Sequence, residues 1–255
     1  MIVIKTAREL EAMRQACRIS ANALKLAGTA VEPGVSTLEI DTLINKYIEK
    51  EGARASFLGY GGFPKSSCIS VNNVVIHGIP NKNTILKEGD IVSIDVGAFF
   101  GGYHGDNAYT FPCGKISDEA QALLDATRES LYEGIKAALA GNRVGDIGHA
   151  VQSYVEARSY SVVRDFVGHG VGANLHEEPS VPNYGTPGRG VRLIPGMTLA
   201  IEPMVNMGDY KVKVLDDEWT TVTTDGKLSA HFEHTIVITP DGPKILTIPD
   251  DEVKL

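Results

Sequence analysis

Cysteine is scarce. The 255 residues hold three, Cys17, Cys68 and Cys113, an odd and scattered set with no CxxC pair. That argues against a disulfide framework or a cysteine metal knuckle and points to a reducing compartment, read here as the cytoplasm. No run approaches the roughly 20 apolar residues that span a bilayer, so no membrane association is expected. The opening MIVIKTARELEAMRQ lacks the apolar core of a signal peptide. Positive charge is short too: 24 Lys and Arg face 32 Asp and Glu, for a net charge of −8. No specific DNA binding is expected from that balance. Lys211 and Lys213 form a local basic pair, which a solvated strand end accounts for. Low-complexity tracts are absent, and a chain of this length buries roughly 70–75% of its unfolded surface without a staple.

What the chain does have is clear helix punctuation. Thr6 with Glu9 makes a capping box for a helix running toward Leu26, and Ser36 with Glu39 makes another, stopped by Gly52. The loop GYGGFP follows, and SCISVNNVVIHG alternates like a strand. A hairpin is expected over residues 91–111. Ser117, Asp118 and Glu119 start a third helix to about Ala140, and Asp146 starts a fourth to about Ala157. Strands and glycine-rich loops make up the rest, through HFEHTIVIT and a short strand at KILTI. The order, two helices then strands, occurs twice. LKEGDIVSID (86–95) can be laid on LIPGMTLAIE (193–202), each ending on an acid, Asp95 and Glu202. This reads as one α+β domain, 1–255, of two pseudo-repeats, roughly 1–113 and 114–255, which bring Asp95 and Glu202 together.

Asp95 interrupts the apolar run IVSIDVGA, and Asp106 lies eleven positions on. With the hairpin turn centred between Phe100 and Gly101, the two acids face each other directly, with Cβ atoms roughly 4.5–5.5 Å apart. Two such charges repel by about 4 kcal/mol at an effective dielectric near 20. They share a proton, or they bind a cation, or one of them caps a turn and points away; the hairpin alone leaves all three open. Further acids bear on the choice. Glu202 stands in AIEP and Glu233 in HFEHTIVI, while His169 lies in the glycine-rich GHGVG. Acids inside apolar strands are rare unless paired or metal-bound. Four carboxylates with one imidazole suit divalent ions of the Mn, Fe, Co or Zn type, and four carboxylates are more than one ion readily uses.

SIDVGAFFGGYHGD, GHGVGANLHEEP, AIEPM and HFEHT together resemble the methionine aminopeptidases, in the pita-bread family that also holds prolidase and aminopeptidase P. The ligand positions are spaced by 11, 63, 33 and 31 residues, and the last interval resembles the short bacterial type I form. The resemblance implies an antiparallel curved sheet covered by helices, and two divalent ions (Co2+, Mn2+, Fe2+ or Zn2+). It implies Asp95, Asp106, His169, Glu202 and Glu233 as their ligands, with Asp106 and Glu233 bridging. Glu202 would also handle the proton of the attacking water, His77 would contact the incoming peptide's amide, and His176 would stabilise the oxyanion. The implied reaction removes the N-terminal methionine from nascent chains and peptides with a small second residue.

Phe57, Tyr60, Phe63, Cys68, Leu175 and Trp219 would form the methionine pocket; spacing alone reads these aromatics as ordinary core. Phe57, Leu175 and Gly61 depart from the residues usual in relatives, which bears on substrate range. Asn72, Val74 and Ser229 match a monovalent-cation site (Na+ or K+), with ordinary backbone bonding as the alternative. His231, where a glutamine is usual, is read as a supporting neighbour of Glu202 or Glu233. His104 is read as a turn residue, His149 as a helix-face residue and His234 as packed behind its strand. The implied partners are a peptide or nascent-protein N-terminus and, transiently, the ribosome; the implied state is a monomer. Rival readings are a Pro-specific aminopeptidase or prolidase of the same fold, and a catalytically dead binding module.

Overall fold

A computed structural model describes residues 2–250. Both expected capping boxes are formed. In the first, Glu9 N–H donates to Thr6 Oγ1 at 3.4 Å and Thr6 N–H donates back to Glu9 Oε2 at 2.8 Å, opening helix α1, Ala7–Gly28. Ser36 and Glu39 open α2, Thr37–Lys50, in the same way. The second helix pair is α3, Asp118–Ala137, and α4, Val144–Glu156. The sequence places their ends a little off. α3 stops at Ala137 rather than near Ala140. α4 begins before Asp146, whose carboxylate sits in the first turn and accepts from Arg143 N–H at 2.7 Å.

The strands are β1 Arg54–Ala55, β2 Ser67–Val71, β3 Val74–Ile76, β4 Ile91–Phe100, β5 Tyr103–Pro112, β6 Ser161–Val162, β7 Gly168–Gly170, β8 Glu177–Val181, β9 Thr198–Ile201, β10 Met204–Asn206, β11 Val212–Val214, β12 Thr221–Thr223, β13 Ser229–His231, β14 Glu233–Thr239 and β15 Gly242–Ile245. The main sheet is antiparallel and curled, in the order β1-β4-β5-β14-β9-β7-β8, with β2 also on β4 and β15 also on β14. Two small sheets, β13-β10-β6 and β11-β12-β3, complete it. The stretch expected as one strand at 67–78 is therefore two, in different sheets. Asn72 takes a positive φ of 56° and turns the chain between them.

Alternation decides what each strand shows to the helices. Val92, Ile94, Val96 and Ala98 of β4 pack in one core with Ile19, Ala23 and Ala27 of α1 and Ile40, Ile44 and Ile48 of α2. Leu199 and Ile201 of β9, with Ile236 and Ile238 of β14, pack in another with Leu123 and Leu131 of α3 and Ile147 and Val151 of α4. Asp95 and Glu202 fall on the alternate positions and so point away from these cores.

The β4–β5 hairpin corrects the expected register. Gly101 and Gly102 have φ of 59° and 90°, as a two-residue type I′ turn requires, so the turn is centred between them. Asp95 pairs with Ala108 and Asp106 with Gly97. The two acids still share a face, but diagonally, at roughly 7–8 Å rather than roughly 4.5–5.5 Å. On the opposite face of β5, α1 lies close: a Cβ at Gly105 would sit 2.4 Å from both Cα and N of Cys17. Gly105→Ala is expected to cost about 1–3 kcal/mol through overpacking, read as a lowered melting temperature; an unchanged melting temperature would contradict this packing.

Candidate active site

The acids converge where β4, β5, β9 and β14 meet. Asp95, Asp106, His169, Glu202 and Glu233 line one cavity of about 320 Å³. Phe57, Tyr60, Phe63, Cys68, His77, Leu175, His176 and Trp219 line the same cavity, so thirteen residues singled out from the sequence meet in one place. Asn72, Val74 and Ser229 do not line it. Asn72 and Ser229 meet each other instead, Ser229 N–H donating to the Asn72 carbonyl at 2.9 Å, while Val74, two residues beyond Asn72, pairs with Val222. Asn72 also bonds through its side chain to Asp90 and to Ile91 N–H, at 2.8 and 3.0 Å.

Asp106, His169 and Glu233 each offer a ligand atom within 4.8 Å of the others. His169 Nε2 lies 3.5 Å from Glu202 Oε1 and 3.9 Å from Asp106 Oδ2. Its Nδ1 is 2.8 Å from the Gly170 carbonyl, which can only accept, so the proton is on Nδ1 and the Nε2 lone pair faces the acids. Burial, and after it the neighbouring His176, lowers the His169 pKa to about 3, so the ring is neutral. Burial pushes Asp106 up to about 7. Burial first, and then the charge of Asp106, pushes Asp95, Glu202 and Glu233 well above the ordinary carboxylate range.

Asp95 Oδ1, Asp106 Oδ1 and Glu233 Oε1 are buried, and no donor among the described residues reaches them. Buried carboxylate oxygens without donors, grouped around an imidazole lone pair, are the donor set a divalent cation needs. The residues present fit divalent metal ions.

Several supports had no readable signal in the sequence. Thr235 Oγ1 donates to the Asp106 carbonyl at 2.7 Å, and Asn183 Nδ2 donates to the Glu202 carbonyl at 3.0 Å. Asp41 of α2 is buried and accepts from Ser66 N–H, Ser67 N–H and Ser67 Oγ at 2.8–3.0 Å, fixing the entry to the strand that carries Cys68. Phe166 also lines the cavity and meets His77 edge-on at 5.7 Å between ring centroids. His231 Nε2 is buried, without a hydrogen-bond partner among the described residues, and 3.6 Å from Glu202 Oε2. His104 is not a turn residue: it lies within β5 opposite Phe99, with Nδ1 2.8 Å from Ser56 Oγ. His149 is exposed on α4, and His234 packs by Thr247, 2.9 Å from its Oγ1.

A profile of metallopeptidase family M24 matches residues 11–240. The chain is 55% identical to methionine aminopeptidase 1 of Bacillus subtilis, covering 97% of this chain and 99% of that one. A crystal structure of methionine aminopeptidase from Thermotoga maritima superposes with a TM-score of 0.96 at 48% identity, covering 97% and 99%. The prolidase of Pyrococcus horikoshii shares the fold alone, at 22% identity and a TM-score of 0.79, with this chain spanning 66% of its length.

The shifted acids have a consequence for stability. A carboxyl with a raised folded pKa holds a proton that the unfolded chain releases near 4, so its contribution is full at low pH and is lost as pH rises through the folded value. The buried histidines, lowered from 6.5, act oppositely, but only below about 6.5. Between about pH 6.5 and 8, chelator-treated protein is therefore expected to lose about 1.4 kcal/mol per pH unit for each proton held. Manganese should restore most stability at the upper end. A melting temperature that stays flat across this window in chelator would contradict the proton-holding cluster.

Proposed function

This chain belongs to metallopeptidase family M24, and from that premise we propose that it removes the N-terminal methionine from nascent proteins and peptides with a small second residue. The observation that carries the reading is the convergence of two buried acids, Asp106 and Glu233, two half-buried ones, Asp95 and Glu202, and the His169 lone pair in one cavity whose lining is largely apolar. Asp95, Asp106, His169, Glu202 and Glu233 would hold two divalent ions, of cobalt, manganese, iron or zinc. When bound, such ions supply a water acidic enough to attack at neutral pH and polarise the scissile carbonyl.

The chain's own residues do the rest. Glu202, whose carboxyl burial pushes upward, accepts the proton released in the attack and passes it to the leaving amine. Tyr60 Oη lies 2.7 Å from His176 Nδ1. With the Tyr60 hydroxyl donating, His176 keeps its proton on Nε2 and offers it to the oxyanion. His77, lowered to about 4 by burial and by His176, is neutral and binds the peptide amide. The rings of Phe166 and Trp219 crowd it at 5.7 and 6.1 Å, which favours a small second residue. Phe57, Phe63, Cys68 and Leu175 form one buried apolar cluster with Trp219 against it, a wall suited to a methionine side chain.

The prolidase reading is not favoured, because that likeness is one of fold. A dead module would not be expected to keep every ligand position. We also read the chain as one domain of two pseudo-repeats, supported by the two helix pairs that cover different parts of the sheet. A cytoplasmic monomer with transient ribosome contact completes the proposal; three free, buried cysteines and the absence, among the described residues, of a helix long and apolar enough to cross a membrane are in keeping with it. A monovalent ion at Asn72, Val74 and Ser229 belongs to the same proposal, supported by the contact of Asn72 with Ser229.

Methionine release from Met-Ala-Ser should require added divalent metal and stop with chelator. Asp106→Asn should lower turnover by at least about 100-fold while unfolding stays cooperative; full activity in that variant would refute the assignment. Leu175→Ala should raise KM for methionyl peptides by about tenfold with metal content unchanged, and an unaltered KM would remove Leu175 from the pocket.

A further inference from the structure

The turn that carries Leu175 and His176 is tied to the other end of the chain. It joins β7, which holds His169, to β8, which begins at Glu177. Few bonds hold it. Gly172 N–H donates to the Asn174 carbonyl at 3.0 Å, and His104 N–H donates to the Gly172 carbonyl at 2.8 Å. The His176 ring itself meets Tyr60 Oη at 2.7 Å and the His169 ring edge-on, and a further anchor, on the backbone side, is the Glu177 carboxylate. One oxygen accepts from Asn174 N–H at 3.2 Å, and the other accepts from Lys5 Nζ at 2.5 Å, across 172 residues of sequence.

This ion pair is buried, with side-chain exposures of 2% for Lys5 and 4% for Glu177. Buried charges at a chain end need a reason, since they lose their hydration and an apolar pair would pack as well. The surroundings are built for the pair. A Cβ at Gly172 would lie 2.5 Å from Glu177 Oε1 and 2.6 Å from Lys5 Cε. Lys5 is itself fixed, its N–H donating to the Gly196 carbonyl at 2.9 Å, immediately before the Thr6 cap of α1.

We propose that Lys5 is a positioning residue for the reaction: through Glu177 it pins the 172–177 turn and so sets the aim of the His176 imidazole against the scissile carbonyl. The proposal rests on the reading of His176 as oxyanion donor. Sub-ångström aim matters at such a site, because misplacement by about 1 Å costs on the order of 100-fold in rate. A simple fastening of the chain end would make the same bonds and leave turnover per folded molecule alone.

The test uses Lys5→Met, and Lys5→Met with Glu177→Gln, which leaves no unpaired buried charge should the single variant fold poorly. Hydrogen exchange on the metal-free protein should show faster exchange at 172–177 in the variants. In manganese, kcat for Met-Ala-Ser should fall about tenfold, with manganese affinity unchanged and recovery in Lys5→Arg. In a His176→Ala background the same change should alter kcat by less than about twofold. Unaltered exchange at 172–177, or an equal loss of kcat with and without His176, would overturn the proposal. If the wild-type protein releases no methionine, the reading of function fails, and the exchange measurement alone then decides whether Lys5 pins the turn.

Discussion

Four carboxyl groups, two buried and two half-buried, held within reach of one another are the constraint on which the rest of the structure depends. Asp95, Asp106, Glu202 and Glu233 cannot all ionise in a protein interior unless positive charge joins them. Burial raises each of them, and oxygens of three have no donor among the described residues. His169 adds a neutral lone pair rather than a compensating cation. The cluster is therefore either partly protonated or metal-bound, and the wall around it determines which substrate meets it.

The fold keeps this cluster in place by dividing labour between faces. The four helices take up the apolar positions of β4, β9 and β14, and the alternate positions are freed for acids. Backbone carbonyls at the site are held from outside it, by Thr235 at Asp106 and Asn183 at Glu202. The pocket wall is fastened separately, by Asp41 at the start of β2 and by Lys5 through Glu177 at the 172–177 turn. Of the proposed metal ligands, Asp95, Asp106, His169 and Glu233 thus sit on strands and Glu202 directly follows β9, whereas the proposed substrate-facing groups Tyr60, Leu175 and His176 sit on turns and loops.

Much of this was legible in the sequence, for physical reasons that differ by residue. The capping boxes at Thr6 and Ser36 are local, so they could be read directly. An acid inside an apolar strand is a cost that demands a partner, which is why Asp95 and Glu202 stood out. The turn centre lies one residue beyond the expected one, which shifts the strand pairing by two, because Phe-Phe-Gly-Gly leaves the centre open until both glycines are seen at positive φ. Asn72 hid a change of sheet, since period-two alternation continues across it. Thr235, Asn183 and Asp41 gave no signal, because their roles depend on partners brought close only by the fold. Lys5 gave none for the same reason.

The central claim is that the acids from β4, β5, β9 and β14 share two cations. Crystals soaked in manganese and measured at its absorption edge test that directly. The account predicts two anomalous peaks roughly 3.5–4 Å apart, bounded by Asp95, Asp106, His169, Glu202 and Glu233. No peak among these five side chains at saturating manganese would contradict it.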